Sequence, residues 1–241
     1  MSEVYVIIQA RMTSTRLPGK VMLPLCGKTV LQVMLERISS WKNNVIVATT
    51  GDGSERPIVD LCNHLGVNYY RGSTNDVLGR YYNAAVAYGA KSGDVIVRLT
   101  SDCPLIDEAL VTETINQFIT GDWDAVSLGP HSGYPRGMDS SVFSFDILQL
   151  AHKKAKLAPD REHVTLGFNK FKTIKSLSLS LGEDLSHYRL TLDEPDDYTC
   201  IQAIYQCFGN EIDFSFSDLV DMLKNNPELA ELNQHVQQKI V

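Results

Sequence analysis

The sequence has no apolar stretch long enough to cross a bilayer, which excludes a helical membrane span. Its first residues, MSEVYVIIQARM, lack the basic start and signal-length apolar run of a secretory leader. The chain is therefore expected in the cytoplasm. Cysteine is sparse, odd in number and scattered, at Cys26, Cys62, Cys103, Cys200 and Cys207, with no C-x-x-C pair. That pattern argues against a disulfide framework or a zinc knuckle and favours reduced thiols packed as small apolar side chains. Positive charge is in deficit: 22 Lys and Arg stand against 29 Asp and Glu, a net charge of −7. A chain this acidic is a poor partner for nucleic acid or an anionic membrane, so an anion site must be built locally from a few clustered cations.

What is present is globular in composition, 44% hydrophobic and 21% charged. A length of 241 residues fits one large α/β domain, or one with a small inserted subdomain. No repeat, linker or low-complexity tract divides it, so residues 1–241 read as a single domain. The first half alternates short apolar runs with helical spacing. Strands are expected at Val4–Ile8, Asn44–Thr49, Val67–Tyr70 and Asp94–Leu99. Helices are expected at Thr29–Ser40, Ser54–Leu65, Asp76–Tyr88 and Leu105–Thr120. This alternation, with β-branched runs rather than strict two-residue periodicity, implies a mostly parallel sheet covered on both faces, a three-layer α/β/α domain. After Asp124–Leu128 the rhythm changes. Strands are expected at Ser140–Phe145, Lys172–Leu181 and His187–Leu192, and helices at Asp196–Phe208, Phe216–Lys224 and beyond Pro227. Residues 130–190 form the irregular half.

The most informative segment follows the first strand: Gln9-Ala10-Arg11-Met12-Thr13-Ser14-Thr15-Arg16-Leu17-Pro18-Gly19-Lys20. In an open parallel sheet, ligands bind beyond the carboxyl ends of the strands, where this loop lies. Arg11, Arg16 and Lys20 supply cations, and small hydroxyl residues with Gly19 allow close backbone approach, as a polyphosphate requires. Any one arginine reads more readily as a solvated loop residue; three basic residues at one strand end of an acidic chain favour an anion site. The loop lacks both the G-x-x-x-x-G-K-[ST] and the G-x-G-x-x-G spacing, so neither a Walker loop nor a dinucleotide fingerprint applies.

The run A-R-M-x-S-T-R-L-P-G-K, preceded by V-I-I-Q, resembles the opening of the cytidylyltransferase superfamily, which includes the CMP-Kdo and CMP-sialic acid synthetases. The likeness is strongest to the spore-coat polysaccharide protein F group. It continues at Arg71-Gly-Ser-x-x-Asp76-Val-Leu-x-Arg80-Tyr81, at Tyr134-Pro-Arg-Gly-x-Asp139, at Arg161-Glu-His-Val-Thr165 and at Arg189-Leu-Thr-x-Asp193-x-Pro-x-Asp197. Many relatives have proline where this chain has Gln9, read here as a minor departure. The resemblance implies a Rossmann-like, glycosyltransferase-A-like nucleotidyltransferase fold. It also implies CTP as co-substrate, magnesium as cofactor, and an acceptor that is a Kdo-like or nonulosonic sugar acid. On that reading Arg11, Lys20 and Asp102 are catalytic. Ala10, Arg11, Arg16, Gly19, Lys20, Thr49, Arg71, Asp76 and Arg80 bind the nucleotide.

Two aspartates end short strands facing the same crevice: Asp102, after DVIVRLT, and Asp193, after HYRLTL. Magnesium takes one or two carboxylates, with phosphate and water completing its shell. Each aspartate could instead cap the helix that follows, Asp102 for Leu105–Thr120 and Asp193 for Asp196–Phe208; the resemblance favours metal ligation at both. Asp76 and Arg80 stand one helical turn apart, so a surface ion pair and base recognition both remain open. Tyr134, Arg136, Asp139, Arg161 and His163 are candidates for the acceptor, because the arginine fork suits a sugar carboxylate. Packing or a helix surface is the simpler reading for each. Asp122-Trp123-Asp124 has the spacing of a glycosyltransferase metal motif but precedes its strand, at the wrong end for a crevice ligand. The expected reaction is transfer of CMP from CTP to a sugar acid with release of pyrophosphate, in surface polysaccharide or glycan synthesis. A homodimer formed through residues 130–190 is also expected. The rival readings are a sugar-1-phosphate nucleotidyltransferase, a glycosyltransferase, and a nucleotide-binding regulatory protein without chemistry.

Overall fold

Val6, Ile7 and Ile8 are completely buried, and the strand that holds them forms the middle of the sheet. The computed structural model describes residues 2–238. In chain order the strands are β1 (Val4–Gln9), β2 (Pro24–Leu25), β3 (Lys28–Thr29), β4 (Val45–Thr50), β5 (Asn68–Gly72), β6 (Val95–Thr100), β7 (Ala125–Leu128), β8 (Ser140–Ser144) and β9 (Ser176–Ser178). The helices are α1 (Val30–Arg37), α2 (Arg56–Leu65), α3 (Val77–Ala87), α4 (Glu108–Thr120), α5 (Phe145–Lys154), α6 (Ala158–Glu162), α7 (Phe168–Phe171), α8 (Pro195–Cys207), α9 (Phe216–Asn225) and α10 (Glu228–Glu231).

Seven strands form one sheet in the order β5-β4-β1-β6-β8-β7-β9. β1 pairs in parallel with both β4 and β6, and β4 with β5. β8 runs antiparallel to both its neighbours, and β9 is parallel to β7. The chain winds outward from β1 in both directions, which opens a crevice at its carboxyl end. Alternating residues of β1 serve opposite layers. Val6 and Ile8 pack with α1, α2 and α4, through residues such as Met34, Ile58 and Val111. Tyr5 and Ile7 pack with α3 and α5, through Leu78, Tyr81 and Leu148. These are the three expected layers. A further apolar cluster joins α8 and α9 to Tyr188, Leu190 and Leu192.

The second half departs from expectation in specific places. His187–Leu192 is not a strand. Arg136 N–H donates to Tyr188 and Leu190 N–H to Arg136, and Leu192 N–H then donates to Asp102 at 2.7 Å. The segment thus crosses from one partner to another instead of running along one, and only an isolated bridge between Arg136 and Arg189 forms. Gly137 permits this crossing, since it has φ 108° and a Cβ there would lie 2.4 Å from the Leu190 carbonyl oxygen. Lys172–Leu181 shrinks to the three residues of β9. Residues 145–171 hold α5, α6 and α7, which the periodicity reading had left without elements. The tail beyond Pro227 forms one turn, α10, and residues 239–241 of it lie outside the described residues.

Neither candidate metal aspartate is a cap. Asp107 caps α4, accepting from Leu110 N–H at 2.9 Å, and its other oxygen accepts from Phe216 N–H at 2.8 Å. Glu194 holds the cap position of α8, where Asp197 accepts from the N–H groups of Asp193 and Glu194. Asp107→Ala should therefore lower stability by roughly 1–3 kcal/mol, a lost cap plus an orphaned N–H. Urea unfolding measures this, and an unchanged midpoint would contradict the assignment.

Candidate active site

The loop after β1 turns back on itself because Gly19 adopts φ 69° and donates its N–H to the Met12 carbonyl at 2.8 Å. Few side-chain-bearing residues accept that backbone conformation. The reversal starts a single 3-10 turn, Lys20–Met22, with Val21 buried in the core. Lys20 is thereby drawn inward and is only 8% exposed.

A buried ammonium needs partners, and Lys20 has three. Its Nζ donates to Asp102 Oδ2 at 2.8 Å, to Asp193 Oδ1 at 2.9 Å and to the Leu192 carbonyl at 2.7 Å. Burial pulls the Lys20 pKa down, but the two carboxylates outweigh it and raise it. Burial pushes the Asp102 carboxyl up, and the neighbouring ammonium outweighs that and holds it below its ordinary value. Asp193 Oδ2 meets Arg16 at 3.1 Å and Arg189 at 3.3 Å. Arg189 in turn grips the fully buried Asp197 through two bonds, at 2.7 and 3.0 Å. Asp197 also receives the backbone N–H of Asp193 at 2.9 Å. Arg189 and Asp197 thus set the position of Asp193, a role the sequence reading had not given them.

These groups border a cavity of about 470 Å³, within the range of small-molecule sites. Ala10, Arg11, Arg16, Lys20, Arg80, Asp102, His163 and Asp193 line it, with the loop hydroxyl residues Ser14 and Thr15 and with Glu162 beside His163; so do Gln9, Arg98 and Ser101, to which the sequence assigns no binding role. Arg98 carried a signal, a charge inside the buried run DVIVRL. Gln9, set aside as a minor departure, turns out to face the cavity.

Other candidates sit elsewhere. Gly19 shapes the loop without lining the cavity. Thr49 is buried on β4 with its hydroxyl unpartnered among the described residues. Arg71 pairs with Glu55. Asp76 caps α3 and pairs with Arg161 rather than with Arg80, so the proposed helical pair does not form. Arg161 holds Asp76 in a two-pronged contact at 2.9 and 2.5 Å and donates to the carbonyls of His152 and Ala155. Its fork is filled from within the protein, which leaves it joining α3 to α6 rather than reaching an acceptor. Tyr134 is buried in the α8–α9 cluster against Phe216. Arg136 and Asp139 lie outside the cavity lining. Burial raises the Asp139 pKa, although Gly137 N–H donates to it at 2.8 Å. Asp122 and Asp124 pair with Lys175 and Lys172, far along the chain from any cavity-lining residue.

The donor chemistry suits a hard cation. Two carboxylates, Asp102 after β6 and Asp193 before α8, converge on one point bridged by Lys20, beside a basic loop suited to hold a phosphate whose oxygens would be further ligands. Among the described residues no three Asp, Glu, His or Cys side chains are grouped so as to hold a metal ion by themselves.

Comparison with known proteins agrees with this geometry. A family model described as cytidylyltransferase matches residues 5–214. The spore coat polysaccharide biosynthesis protein SpsF of Bacillus subtilis is 30% identical over 240 residues, covering 95% of this chain and 98% of that protein. A solved cytidylyltransferase of Leptospira borgpetersenii superposes with a TM-score of 0.90 at 34% identity over the full length of both chains. A CMP:2-keto-3-deoxy-manno-octonic acid synthetase solved with CTP shares the fold, with a TM-score of 0.65 at 17% identity, covering 86% of this chain and 100% of that one. With a matching model over most of its length and relatives this similar from end to end, the chain belongs to the cytidylyltransferase family.

Proposed function

We propose that this cytidylyltransferase joins CMP to a hydroxyl of a sugar acid, for a surface polysaccharide or glycan. The acceptor hydroxyl oxygen attacks the α-phosphorus of CTP and gives up its proton to solvent, the bond from that phosphorus to the bridging oxygen breaks, and pyrophosphate leaves. The observation that carries this reading is the meeting of Arg11, Arg16 and Lys20 with Asp102 and Asp193 at one cavity. Arg11 and Arg16 would hold the triphosphate, aided by backbone N–H groups of the loop. Asp102 and Asp193 would hold a magnesium ion, which supplies charge neutralisation on the phosphates when bound. Lys20 keeps the two carboxylates in register. Catalysis on this reading is positioning and electrostatic stabilisation rather than acid–base chemistry.

The sugar-acid acceptor is supported by the names of a 3-deoxy-manno-octulosonate cytidylyltransferase and of the CMP:2-keto-3-deoxy-manno-octonic acid synthetase, and the polysaccharide by that of SpsF. A sugar-1-phosphate acceptor is the second reading, and two cavity arginines without carboxylate partners keep it in view. The glycosyltransferase reading loses its metal motif, because Asp122 and Asp124 lie outside the cavity lining.

Pyrophosphate release measured with four nucleoside triphosphates against panels of sugar acids and sugar phosphates separates these readings. CTP with a sugar acid should give turnover; turnover only with a sugar phosphate would reject the proposed acceptor. Arg11→Ala and Arg16→Ala should each weaken CTP binding by about 1–3 kcal/mol, the scale of a charge-assisted hydrogen bond. Calorimetry showing wild-type affinity in both variants would remove the loop from the triphosphate site.

A further inference from the structure

Two guanidinium groups in the cavity wall have no anion. Arg80 on α3 is only 2% exposed, and its Nε and one terminal nitrogen are buried without a hydrogen-bond partner. Arg98 on β6 has its Nε in the same condition. Among the described residues neither forms an ion pair. The carboxylates that share the cavity do not serve them: Asp102 and Asp193 are engaged by Lys20, Arg16 and Arg189, and Glu162 makes no ion pair with either.

The fold holds the two arginines together. Tyr81 donates its hydroxyl to the Leu99 carbonyl at 2.8 Å, pinning α3 to β6. Arg80 and Arg98 each immediately precede one end of that bond in sequence. Strand alternation puts Arg98 on the same sheet face as Ile96, which packs beneath Tyr81. Gln9 follows Ile7 on that face, and its side-chain oxygen is also buried without a donor. Burial, reinforced by the nearby positive charge of Arg11, pulls the Arg80 pKa down.

A buried charge without a partner destabilises a fold by far more than a surface charge does, and nothing in the packing of this wall offsets that cost. The arrangement makes physical sense if a ligand completes it. Two guanidinium groups call for oxyanion oxygens, and the Gln9 amide oxygen calls for a donor such as a hydroxyl.

We infer that Arg80, Arg98 and Gln9 form an oxyanion-binding subsite in the wall of the cavity, one that takes a carboxylate or phosphate group flanked by a hydroxyl. This rests on reading the cavity as the site of cytidylyl transfer. The anion is either the acidic group of the acceptor or a phosphate of the nucleotide, and the hydroxyl requirement suits a hydroxylated acid. Arg98 is the distinguishing member, since it lies within β6, in register with Ile7 of β1, rather than on the loop that carries Arg11 and Arg16.

The test uses the full chain as wild type, Arg98→Gln, Arg98→Lys and Arg80→Gln. Thermal unfolding is followed in sodium phosphate and in sodium chloride at matched ionic strength. Phosphate should raise the wild-type Tm, and the phosphate affinity drawn from that rise should fall roughly tenfold in Arg98→Gln and in Arg80→Gln. Arg80→Gln in chloride should be no less stable than wild type, because it removes an unpaired buried charge, whereas Arg98 is only half-buried. Arg98→Lys should recover only part of the phosphate effect, because it keeps the charge but loses the fork. Two calorimetric titrations identify the source. A loss confined to 3-deoxy-manno-octulosonate added to CTP-loaded protein assigns the subsite to the acceptor; a loss confined to CTP assigns it to the nucleotide. An unchanged phosphate effect in both glutamine variants, with both titrations unchanged, overturns the inference. The phosphate measurement needs no acceptor, so the subsite can stand even if no sugar acid is turned over.

Discussion

The buried ammonium of Lys20 is the contact on which the site depends. Removing such a charge from water costs several kcal/mol unless it is fully compensated. Here Asp102, Asp193 and the Leu192 carbonyl compensate it at 2.7–2.9 Å. Three chain segments remote in sequence meet at this nitrogen: the loop after β1, the end of β6, and the stretch before α8. Each is also fixed independently. Gly19 and Val21 set the loop, Leu192 N–H reaches back to the Asp102 carbonyl, and Asp197 with Arg189 holds Asp193 from behind. Placing two like-charged carboxylates side by side is unfavourable alone, and the ammonium makes it stable before any substrate arrives.

Charge in this acidic chain is distributed unevenly for a reason. Most acidic groups face solvent or pair at the surface, while the cavity gathers Arg11, Arg16, Lys20, Arg80 and Arg98. The low-dielectric walls make each cation count for more than it would on the surface. Two classes of cation result. Lys20 and Arg16 are held by carboxylates and organise the site. Arg80 and Arg98 are left open toward the cavity, as a wall that awaits anionic substrate requires.

The sheet's first half was readable because β1, β4 and β6 are rich in β-branched residues and helical spacing follows each, and local pattern agreed with tertiary structure. The second half was less so. His187–Leu192 alternates like a strand, yet its backbone bonds go to Arg136 and Asp102 in turn, which no local pattern records. The helix α5 had a readable start, since Ser144 accepts from Ile147 N–H, but its short apolar face was masked by the Gly- and Pro-rich segment before it. In the site, the basic loop was legible from position, and Asp102 and Asp193 from position together with the family resemblance. The choice between cap and ligand was not, because Asp107 stands only five residues beyond Asp102 and either can precede a helix. Arg161 shows a related limit: its partner Asp76 is distant in sequence, so nothing local tells a structural fork from a substrate clamp.

Asp102 and Asp193 together are proposed to hold the divalent ion that accompanies CTP. Electron paramagnetic resonance of manganese, titrated with and without CTP, reads this binding. CTP should create a bound-manganese signal in wild type, and Asp102→Asn and Asp193→Asn should each abolish it while remaining folded by circular dichroism. A bound-manganese signal of wild-type strength in both variants would contradict it.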